Sequence, residues 1–391
     1  MFNDILERGV EDIIVRSSLE EKLKSGRKLR IKLGIDPTSP DLHLGHAVVL
    51  RKLRAFQDLG HKAVLIIGDF TAKIGDPTGK STTRQPLDEK TIKKNMKEYI
   101  SQAGKILDIK KVEVRYNSEW LKKLSFSEIF NLAGLVSVTQ TLERNDFSNR
   151  IKQGQSIRMH ELFYPLMQAY DSVVVKADVE LGGNDQLFNN LSGRTLMERM
   201  ELIPQDVLTV SLLEGLDGKE KMSKSLNNYI GLTDSPENMY GKVMSLKDEM
   251  IWKYFMLCTT LSSTEIENIK VELANGTNPK IIKMRLAREI VALYHNKDAA
   301  LKAEENFENT FKKGDMPEDA SQIKSSSGSH LADLLVENKL VESRTEFSRL
   351  VKAGAISEVE TGEKITDREF KIEKNINLRI GKKRFVKISV K

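Results

Sequence analysis

The stretch KLRIKLGIDPTSPDLHLGHAVVLRKLRAFQDL, residues 28–59, changes its hydrophobic pattern halfway along, and that change decides the fold. Apolar and charged residues alternate as far as Ile35, which predicts a β-strand. A turn-forming run occupies residues 36–40, and over 44–59 the apolar residues recur at helical spacing. Residues 63–67 then form a short apolar run, typical of a buried strand. A strand, a helix and a strand in this order predict a parallel sheet covered by helices.

The composition limits the class of protein. A chain of 391 residues has the length of two or three domains, and 39% hydrophobic with 30% charged residues is ordinary for a soluble protein. The apolar runs are too short to span a membrane and residues 1–4 do not begin a signal peptide, so we expect a cytoplasmic protein without a membrane segment. The single cysteine, Cys258, excludes an internal disulfide and a cysteine-based zinc cluster. The formal net charge of +6 suggests an anionic partner, although such an excess also serves solubility alone.

Further periodic runs extend this organisation along the chain. Three of them predict strands and a longer one predicts a helix: residues 112–114, 172–176 and 207–212, and residues 185–200. From residue 235 to about 311 the chain is charged and helix-forming, whereas residues 312–328 are rich in Lys, Gly and Ser, typical of a linker. Residues from His330 onwards are therefore expected to form a separate small module.

Two histidines flank a glycine directly after the turn, in His43-Leu44-Gly45-His46. Free backbone N–H groups at a helix start favour phosphate, and Gly34 and Gly45 leave room for the close approach of a nucleotide. Imidazole N–H groups can stabilise the charge that develops on phosphate oxygens when an α-phosphorus is attacked. A single histidine here would more simply cap or pack the helix, but two of them around a glycine favour an ATP site.

A second motif, Lys221-Met222-Ser223-Lys224-Ser225, carries two lysines and two hydroxyl groups. Compact ammonium charges suit a pyrophosphate leaving group. Gly218 precedes the motif and Asn227-Asn228 follow it, so we expect the loop to move. A solvated basic loop is the simpler alternative for this motif alone. Together with the histidine motif, it predicts the second half of an ATP site.

Residues 75–81, GDPTGKS, suggest a phosphate-binding loop of the Walker type but do not fit it. That motif requires a glycine at position 74, where Ile74 stands, and Pro77 removes an N–H group from the loop. We expect Lys80 and Arg84 instead to reach the ATP site as mobile cations.

The histidine and lysine motifs are similar to the two signatures of class I aminoacyl-tRNA synthetases. Three further stretches narrow the resemblance to bacterial tyrosyl-tRNA synthetases: IGDPTGK at 74–80, YPLMQAYD at 164–171 and GGNDQ at 182–186. The resemblance covers nearly the whole chain, with the motifs in the family's order. It implies an α/β fold with a Rossmann-like parallel-sheet catalytic domain (1–232), a helical domain (233–311), a linker (312–328) and a small α+β S4-like RNA-binding domain (329–391).

The resemblance also implies roles for individual residues. Those expected to bind tyrosine are Asp76, Tyr164, Gln168, Asp171 and Gln186. In this set Asp171 accepts a hydrogen bond from the phenol, and Asp76, Tyr164 and Gln168 hold the ammonium group. Those expected to bind ATP are Gly34, Asp36, Thr38, Gly45, Gly183, Asp185 and Lys224. The expected catalytic residues are His43, His46, Lys80, Arg84, Lys221 and Lys224.

The reaction that the resemblance implies has two steps. The tyrosine carboxylate attacks the α-phosphorus of ATP, giving tyrosyl-adenylate and pyrophosphate, and a terminal ribose hydroxyl of tRNA(Tyr) then attacks the adenylate carbonyl. Mg²⁺ is expected with ATP, without a metal site on the protein, and a homodimer is expected to bind tRNA across both subunits. Positioning and electrostatics would supply the catalysis.

The predicted tyrosine pocket contains one departure from the family. Tyr164, Gln168 and Asp171 follow at i, i+4 and i+7, hence on one face of a helix, although such a face also packs on a sheet with Leu166 and Met167 in the core. Lys32 stands where many family members have a tyrosine that binds the phenol. We therefore expect Asp171 and another group, rather than Lys32, to hold the phenol.

Two other interpretations remain open. A tryptophanyl-tRNA synthetase shares the fold and the signatures but usually lacks an S4-like module, and Asp171 favours a phenol ligand. An RNA-binding or regulatory protein that kept the fold without the activity would not need the two histidines and two lysines of the motifs, all of which are present. Tyrosine-dependent pyrophosphate exchange distinguishes an enzyme from the latter.

The C-terminal module carries many basic residues. Leu331, Leu334, Leu335 and Leu340 are spaced for one helix face, and residues 343–346 predict a capping box that begins a second helix. A basic surface on a small αβ module suits folded RNA, which is bound through its backbone and shape. The predicted RNA contacts on the second helix are Arg344, Arg349 and Lys352. The acidic stretch 357–360 departs from the S4 pattern.

Overall fold

The computed structural model describes residues 2–38, 40–76, 88–312, 320–359, 361–381 and 384–390. The chain forms two compact units, Met1–Tyr294 and His295–Lys391. Their division lies inside the segment predicted as a helical domain (233–311). No helix within the described ranges is long and apolar enough to cross a membrane.

One sheet joins the strands of the first unit, which are β1 (Val10–Ile14), β2 (Arg30–Ile35), β3 (Lys62–Ile67), β4 (Glu113–Tyr116), β5 (Val179–Gly183) and β6 (Asp206–Val210). Their spatial order is β1-β6-β5-β2-β3-β4, and all pairs are parallel except β1 with β6. β3 and β6 are buried along nearly their whole length, as expected for strands covered on both faces. The predicted parallel sheet is confirmed.

The strand order reverses between β2 and β5. From β2 the chain continues outward to β3 and β4, and it then returns to place β5 and β6 on the other side of β2. In open parallel sheets such a reversal leaves a crevice outside the carboxyl ends of the two strands. Ile35 ends β2 and Gly183 ends β5, so the residues that follow these two strands begin at the crevice.

The helices of the first unit are α1 (Phe2–Glu7), α2 (Arg16–Lys24), α3 (Leu44–Asp58), α4 (Glu89–Ala103), α5 (Ser118–Leu121), α6 (Phe126–Gly134), α7 (Val138–Leu142), α8 (Asn145–Lys152), α9 (Met159–Val175), α10 (Leu187–Arg199), α11 (Pro236–Met244), α12 (Ile251–Cys258), α13 (Ser263–Ala274) and α14 (Pro279–Tyr294). α3 follows β2, lies against β3 and β5, and buries the face that includes Leu50, Leu53 and Phe56. The helix that the apolar spacing predicts is confirmed, and its apolar face is the buried one.

The predicted strand at 172–176 is wrong, because residues up to Val175 form the end of α9. Three consecutive valines, 173–175, suggest a strand because β-branched side chains are common there. Here the helix is retained by packing, with Val175 buried in a cluster with Val64 and Ile66 of β3. Lys176 adopts a left-handed conformation (φ 49°) that ends the helix, and β5 follows.

The second unit contains α15 (Lys297–Lys312), α16 (Leu331–Glu337), α17 (Arg344–Lys352), β7 (Ser321–Ser325), β8 (Ser329–His330), β9 (Ile356–Glu358), β10 (Lys371–Ile372), β11 (Ile376–Ile380) and β12 (Arg384–Val390). A four-stranded sheet has the order β7-β12-β11-β9, and β8 pairs with β10. Leu331, Leu335, Phe347 and Ile380 belong to one buried core formed by the helices and the sheet.

The predicted linker at 312–328 contains a strand. β7 runs parallel to β12, with Ser321 opposite Val386 and Ser325 opposite Val390. The strand is polar except for Ile323, which is buried, so hydrophobic patterning carries little signal for it. Residues 313–319 of the predicted linker lie outside the described ranges.

The predicted start of α17 at Ser343 is confirmed. The Ser343 hydroxyl accepts a hydrogen bond from the N–H of Glu346. The Glu346 carboxylate accepts from the N–H of Glu342 at 2.6 Å, one residue before the position that a complete capping box requires.

Candidate active site

A cavity of about 400 Å³ lies where the strand order reverses, at the carboxyl ends of β2 and β5. Every described residue that the sequence predicts for tyrosine binding, ATP binding or catalysis lines it. They are Gly34, Asp36, Thr38, His43, Gly45, His46, Asp76, Tyr164, Gln168, Asp171, Gly183, Asp185, Gln186, Lys221 and Lys224. The predicted cations Lys80 and Arg84 lie outside the described residues.

The histidine and lysine motifs are joined through the backbone. Residues 42–44 and 230–232 form an antiparallel bridge with N–H···O distances of 3.0 Å and 2.9 Å, in which His43 lies opposite Gly231. The chain that leaves the lysine motif is therefore fixed to the start of α3, and the two motifs meet at one side of the cavity.

The two imidazoles lie against each other at the first turn of α3, with ring centroids 3.8 Å apart. Burial, together with nearby cations, lowers the pKa of His43 to about 2 and that of His46 to about 4, so both are neutral at physiological pH. The His43 backbone N–H donates to Nδ1 of His46, which leaves the His46 proton on Nε2. Nδ1 of His43 is buried and has no hydrogen-bond partner within the described residues.

Gly45 has a packing role that its motif did not reveal. A Cβ atom at this position would lie 3.0 Å from two ring atoms of His43. The glycine therefore makes room for the His43 imidazole. A Cβ atom at Gly34, in contrast, would meet no atom within 4 Å, so this position leaves open space beside the cavity.

Both lysines of the second motif are paired with carboxylates. Nζ of Lys221 lies 2.8 Å from Oδ2 of Asp185, and Lys224 forms an ion pair with Asp41. The two lysine side chains are 48% and 28% exposed. Ion pairs this exposed contribute little stability, so either carboxylate can be exchanged for a polyphosphate at small cost.

Asn228 fixes the lysine motif, although its position after the motif suggested a flexible end. Its Oδ1 accepts from the N–H of Ser223 at 2.8 Å, and its amide group donates to Asp217 and to the carbonyl of Lys221. Asn228 is 4% exposed. The motif is thus held internally as a unit.

Two carboxylates lie at the part of the cavity predicted to bind an ammonium group. Asp36 accepts from the hydroxyls of Thr71 and Tyr164 at 2.7 Å and 2.9 Å. Asp76 accepts from Nε2 of Gln186 at 2.9 Å. Asp36, predicted for ATP, therefore contacts Tyr164, which was predicted for tyrosine. Two acidic groups at one wall suit a cationic ligand group.

Asp171 lies in the wall of the cavity and is 3% exposed. It accepts from Nε1 of Trp120 at 2.8 Å and from Nδ2 of Asn117 at 3.4 Å. Burial raises the pKa of Asp171 to about 7. A carboxylate held by two donors with a further lone pair available suits a ligand hydroxyl.

Sequence reasoning missed Thr71, Asn117 and Trp120, which support the acidic groups of the cavity. Asn117 directly follows β4, and Thr71 follows β3 by a few residues. A polar residue at the carboxyl end of a parallel strand is the signal that could have identified Asn117. Trp120 carries no such signal, because its contact with Asp171 is formed between distant parts of the chain.

Lys32 lies beneath the cavity and does not line it. Its side chain is fully buried, and Nζ donates to the Gln168 carbonyl (3.0 Å), the Ser172 hydroxyl (2.7 Å) and Oε1 of Glu180 (2.8 Å). All three protons of the ammonium group are thereby used. That Lys32 does not bind the phenol stays a prediction, and the burial of its ammonium group supports it.

The predicted RNA contacts on α17 are exposed. Arg344 donates to Asp333 from Nε at 2.6 Å, whereas for Arg349 and Lys352 no such partner is described. Arg384, at the start of β12, contacts the carbonyl of Leu340 and pairs with Glu346, so it stabilises the unit. Within the described ranges, no group of three His, Cys, Asp or Glu side chains is placed to hold a metal ion.

Comparison with known proteins gives a consistent result. Residues 24–312 match the family described as tRNA synthetases class I (W and Y). The tyrosine–tRNA ligase of Idiomarina loihiensis is 47% identical to this chain, covering 98% of it and 97% of that protein. Tyrosine–tRNA ligase 2 of Clostridium acetobutylicum is 49% identical, covering 99% and 98%. A truncated mitochondrial tyrosyl-tRNA synthetase of Aspergillus nidulans shares the fold, with a TM-score of 0.66 at 24% identity over 79% of this chain and 94% of that one.

Proposed function

The chain belongs to the class I tyrosyl-tRNA synthetases and is a tyrosine–tRNA ligase, and on this basis we propose how the groups around its cavity divide the work. Activation joins tyrosine to AMP from ATP with release of pyrophosphate, and transfer to the 3′ end of tRNA(Tyr) follows. The observation that carries the proposal is the convergence of several carboxylates, two neutral imidazoles and two lysines on one cavity.

The tyrosine side of the cavity is the part lined by α9. Asp171 accepts the phenol hydrogen bond, in addition to those from Trp120 and Asn117. The ammonium group lies by Asp76, Tyr164 and Gln168, with Gln186 orienting Asp76 through their 2.9 Å hydrogen bond. One end of the site is therefore built for a hydroxyl and the other for a cation, which fits the zwitterion of tyrosine.

The ATP side is the part lined by α3 and the lysine motif. The neutral His43 and His46 donate to phosphate oxygens as negative charge grows on them, next to the positive end of the α3 dipole. Lys221 and Lys224 hold the pyrophosphate, joined by Lys80 and Arg84. Gly183 and Asp185 contact the ribose, and Asp36, Thr38 and Gly34 line the rest of the nucleotide site.

Mg²⁺ enters with ATP in this proposal. The carboxylates at the cavity are engaged by Thr71, Tyr164, Gln186 and lysine side chains, which suits a metal bound through the polyphosphate more than one bound by the protein.

A homodimer is the proposed assembly. Five large apolar side chains are exposed on α6, α7, α8 and α9 of the first unit: Phe126 (83%), Phe130 (71%), Val138 (60%), Ile151 (51%) and Met159 (69%). Exposed apolar side chains that form a contiguous patch mark an interaction surface, and we propose that these five do so. A second copy of the chain is the proposed partner.

Each predicted domain has its own proposed role. Residues 1–232 carry out the chemistry, 233–311 support it, and 329–391 bind tRNA through the exposed basic side of α17. The proposed location is the cytoplasm, where charged tRNA is used.

The test of this proposal is pyrophosphate exchange without tRNA. Exchange between pyrophosphate and ATP should be stimulated by tyrosine but not by tryptophan or phenylalanine. Charging of tRNA(Tyr) by the same preparation should require tyrosine and ATP. Stimulation by tryptophan, or the absence of exchange in a folded preparation, would contradict the assignment of the pocket.

A further inference from the structure

We infer that the buried Lys32–Glu180 ion pair is a positioning device for tyrosine activation: it fixes the side-chain amide of Gln168 so that its Oε1 atom accepts from the substrate ammonium group. The inference rests on the proposed tyrosine site and assigns a role to two residues that do not touch the substrate. Both residues lie beneath the cavity, and neither belongs to the motifs from which the site was predicted.

The pair is built into the sheet at the reversal point. Lys32 on β2 and Glu180 on β5 are direct partners in the parallel register, so their side chains leave the sheet on the same face. Their charged atoms lie 2.8 Å apart, and the side chains are 0% and 1% exposed. Above them lies α9, whose Ser172 hydroxyl accepts from Lys32 and donates to Glu180 at 3.0 Å.

Each oxygen atom of the Glu180 carboxylate accepts two hydrogen bonds. Oε1 accepts from Lys32 and from Nε2 of Gln168, and Oε2 accepts from Ser172 and Gln205. All four of these partners donate, so the Glu180 carboxylate acts only as an acceptor here. Any amide that contacts it must therefore present its NH₂ group.

This requirement determines the orientation of Gln168. Its Nε2 atom donates to Oε1 of Glu180 and to Oδ1 of Asn190, both at 3.1 Å. With both amide protons used, Oε1 is the polar atom left to act at the cavity, which Gln168 lines. A rotated amide would place its oxygen against the Glu180 carboxylate, and low dielectric surroundings make that repulsion costly.

An acceptor-only amide selects for a donor-only ligand group. An ammonium group carries three donors and no acceptor, so an acceptor oxygen satisfies it, whereas a hydroxyl or a neutral amide also carries an acceptor atom that this oxygen cannot satisfy. Lys32 contributes by holding Oε1 of Glu180 in place through their 2.8 Å contact, and its bond to the Gln168 carbonyl ties the same residue's backbone to β2. The pair thus determines where the Gln168 amide lies and that its acceptor oxygen, not its NH₂ group, faces the substrate ammonium group.

The test compares two ligands that differ only in the ammonium group, tyramine and 4-ethylphenol. Their inhibition constants against tyrosine are measured in pyrophosphate exchange by the full-length protein. The variant Glu180→Gln removes the charge while keeping the shape, and it lets Gln168 rotate. We expect tyramine to bind roughly ten- to hundredfold more weakly, as for loss of a hydrogen bond to a charged group, and 4-ethylphenol to bind as before.

Three further comparisons separate the positioning of Gln168 from a general loss of structure at the site. Ser172→Ala keeps the ion pair and its contact with Gln168, so it should retain the tyramine preference. Lys32→Met combined with Glu180→Gln leaves no unpaired charge in the core and should lose the preference as Glu180→Gln does. In a Gln168→Ala background, Glu180→Gln should cause no further loss, because the amide it orients is absent.

The inhibition constants of tyramine and 4-ethylphenol distinguish a positioning role of the ion pair from a structural one. Equal weakening of both ligands in the double variant would mean that the pair only supports the fold, and an unchanged tyramine preference would mean that the pair does not orient Gln168; either result overturns the inference. A wild-type protein that binds tyramine no better than 4-ethylphenol would instead overturn the proposed ammonium site itself.

Discussion

The backbone N–H of His43 donates a hydrogen bond to Nδ1 of His46 at 3.3 Å, between residues whose rings lie 3.8 Å apart. The bond makes Nδ1 an acceptor, so His46 offers its proton from Nε2. Because burial also keeps both rings uncharged, the pair can approach Lys224 without repulsion. Such a pair is suited to charge that appears only as the reaction proceeds.

Replacing His46 with alanine should therefore slow chemistry without weakening substrate binding. We expect the single-turnover rate of tyrosyl-adenylate formation to fall by about 10²–10³-fold, the usual effect of removing one transition-state donor, with the Kd of tyrosine unchanged. Rapid-quench measurement gives the rate, and equilibrium dialysis gives the Kd. His46→Asn, which retains an N–H donor, serves as the conservative comparison and should recover part of the rate. A rate equal to that of the wild type in His46→Ala would contradict this role.

Lys224 should act on the leaving group. It pairs with Asp41 at the cavity and lies 5.8 Å from the ring centre of Tyr229. We expect Lys224→Ala to lower the activation rate by roughly 10²-fold, because a charge that meets the departing pyrophosphate is lost. The Kd for tRNA(Tyr), measured by filter binding, should stay the same.

Lys219 provides the matched control in the same loop. Its side chain is exposed and does not line the cavity. Lys219→Ala removes an equal charge, so it should leave activation unchanged. If tRNA binding collapses in Lys224→Ala while activation survives, the motif is an RNA contact.

The sequence predicted the parts of the site that depend on local pattern. The alternation that ends at Ile35 and the helical spacing after Leu44 located β2 and α3, and the carboxyl ends of parallel strands necessarily meet at one edge. The residues that follow β2 and β5 therefore had to converge. The strand candidate at 172–176 failed because local β-branched composition competes with packing that only the folded chain supplies.

Lys32 shows why the other contacts of the site could not be predicted from the sequence. The alternation of apolar and charged residues puts Lys32 with Lys28 and Arg30 on the charged side of β2. Such a side would normally face solvent. Its burial depends on Glu180, the partner that parallel pairing with β5 places beside it. The register of two strands so far apart along the chain is not encoded in either strand alone. The same holds for Trp120, whose indole reaches Asp171 only in the assembled fold.

The pH dependence of tyrosine use should report on Asp171. The carboxylate must be ionised to accept from the phenol while Trp120 and Asn117 also donate to it. Burial raises the pKa of Asp171 from 3.8 to about 7. Because the protonated form is the inactive one, kcat/KM for tyrosine should rise as the pH increases through about 7 and then level off.

Asp171→Asn is the matched variant for this profile. It has no titrating group, so kcat/KM for tyrosine should be lower and flat between pH 6 and 8, on the order of one pH unit to either side of the transition. At saturating tyrosine, kcat/KM for ATP should not follow the same transition in the wild type. A transition near pH 7 that persists in Asp171→Asn would assign it to another group.

The exposed apolar side chains of α6 to α9 should form the interface of the proposed homodimer. Phe130 is 71% exposed, so Phe130→Glu should not disturb the core, but it would place a charge in an apolar interface. We expect light scattering at micromolar concentration to give the monomer mass for this variant and the dimer mass for the wild type. Ile281→Glu, at an apolar residue of α14 that is 60% exposed, should leave the mass unchanged. A dimer mass for Phe130→Glu would place the interface elsewhere.

The basic side of α17 should bind tRNA through its phosphates. Arg349 and Lys352 are exposed, and replacing both with glutamate should raise the KM for tRNA(Tyr) and reduce the slope of log Kd against log salt by about 1 for each lost contact. Arg344→Glu should change the KM for tRNA(Tyr) and the salt slope less, because the Arg344 guanidinium is already paired with Asp333. Pyrophosphate exchange without tRNA should be the same in the wild type and in both variants, since the proposed activation site lies in the first unit. An unchanged KM and salt slope in the double variant would show that RNA binds another surface, and a loss of exchange would show that the second unit takes part in activation.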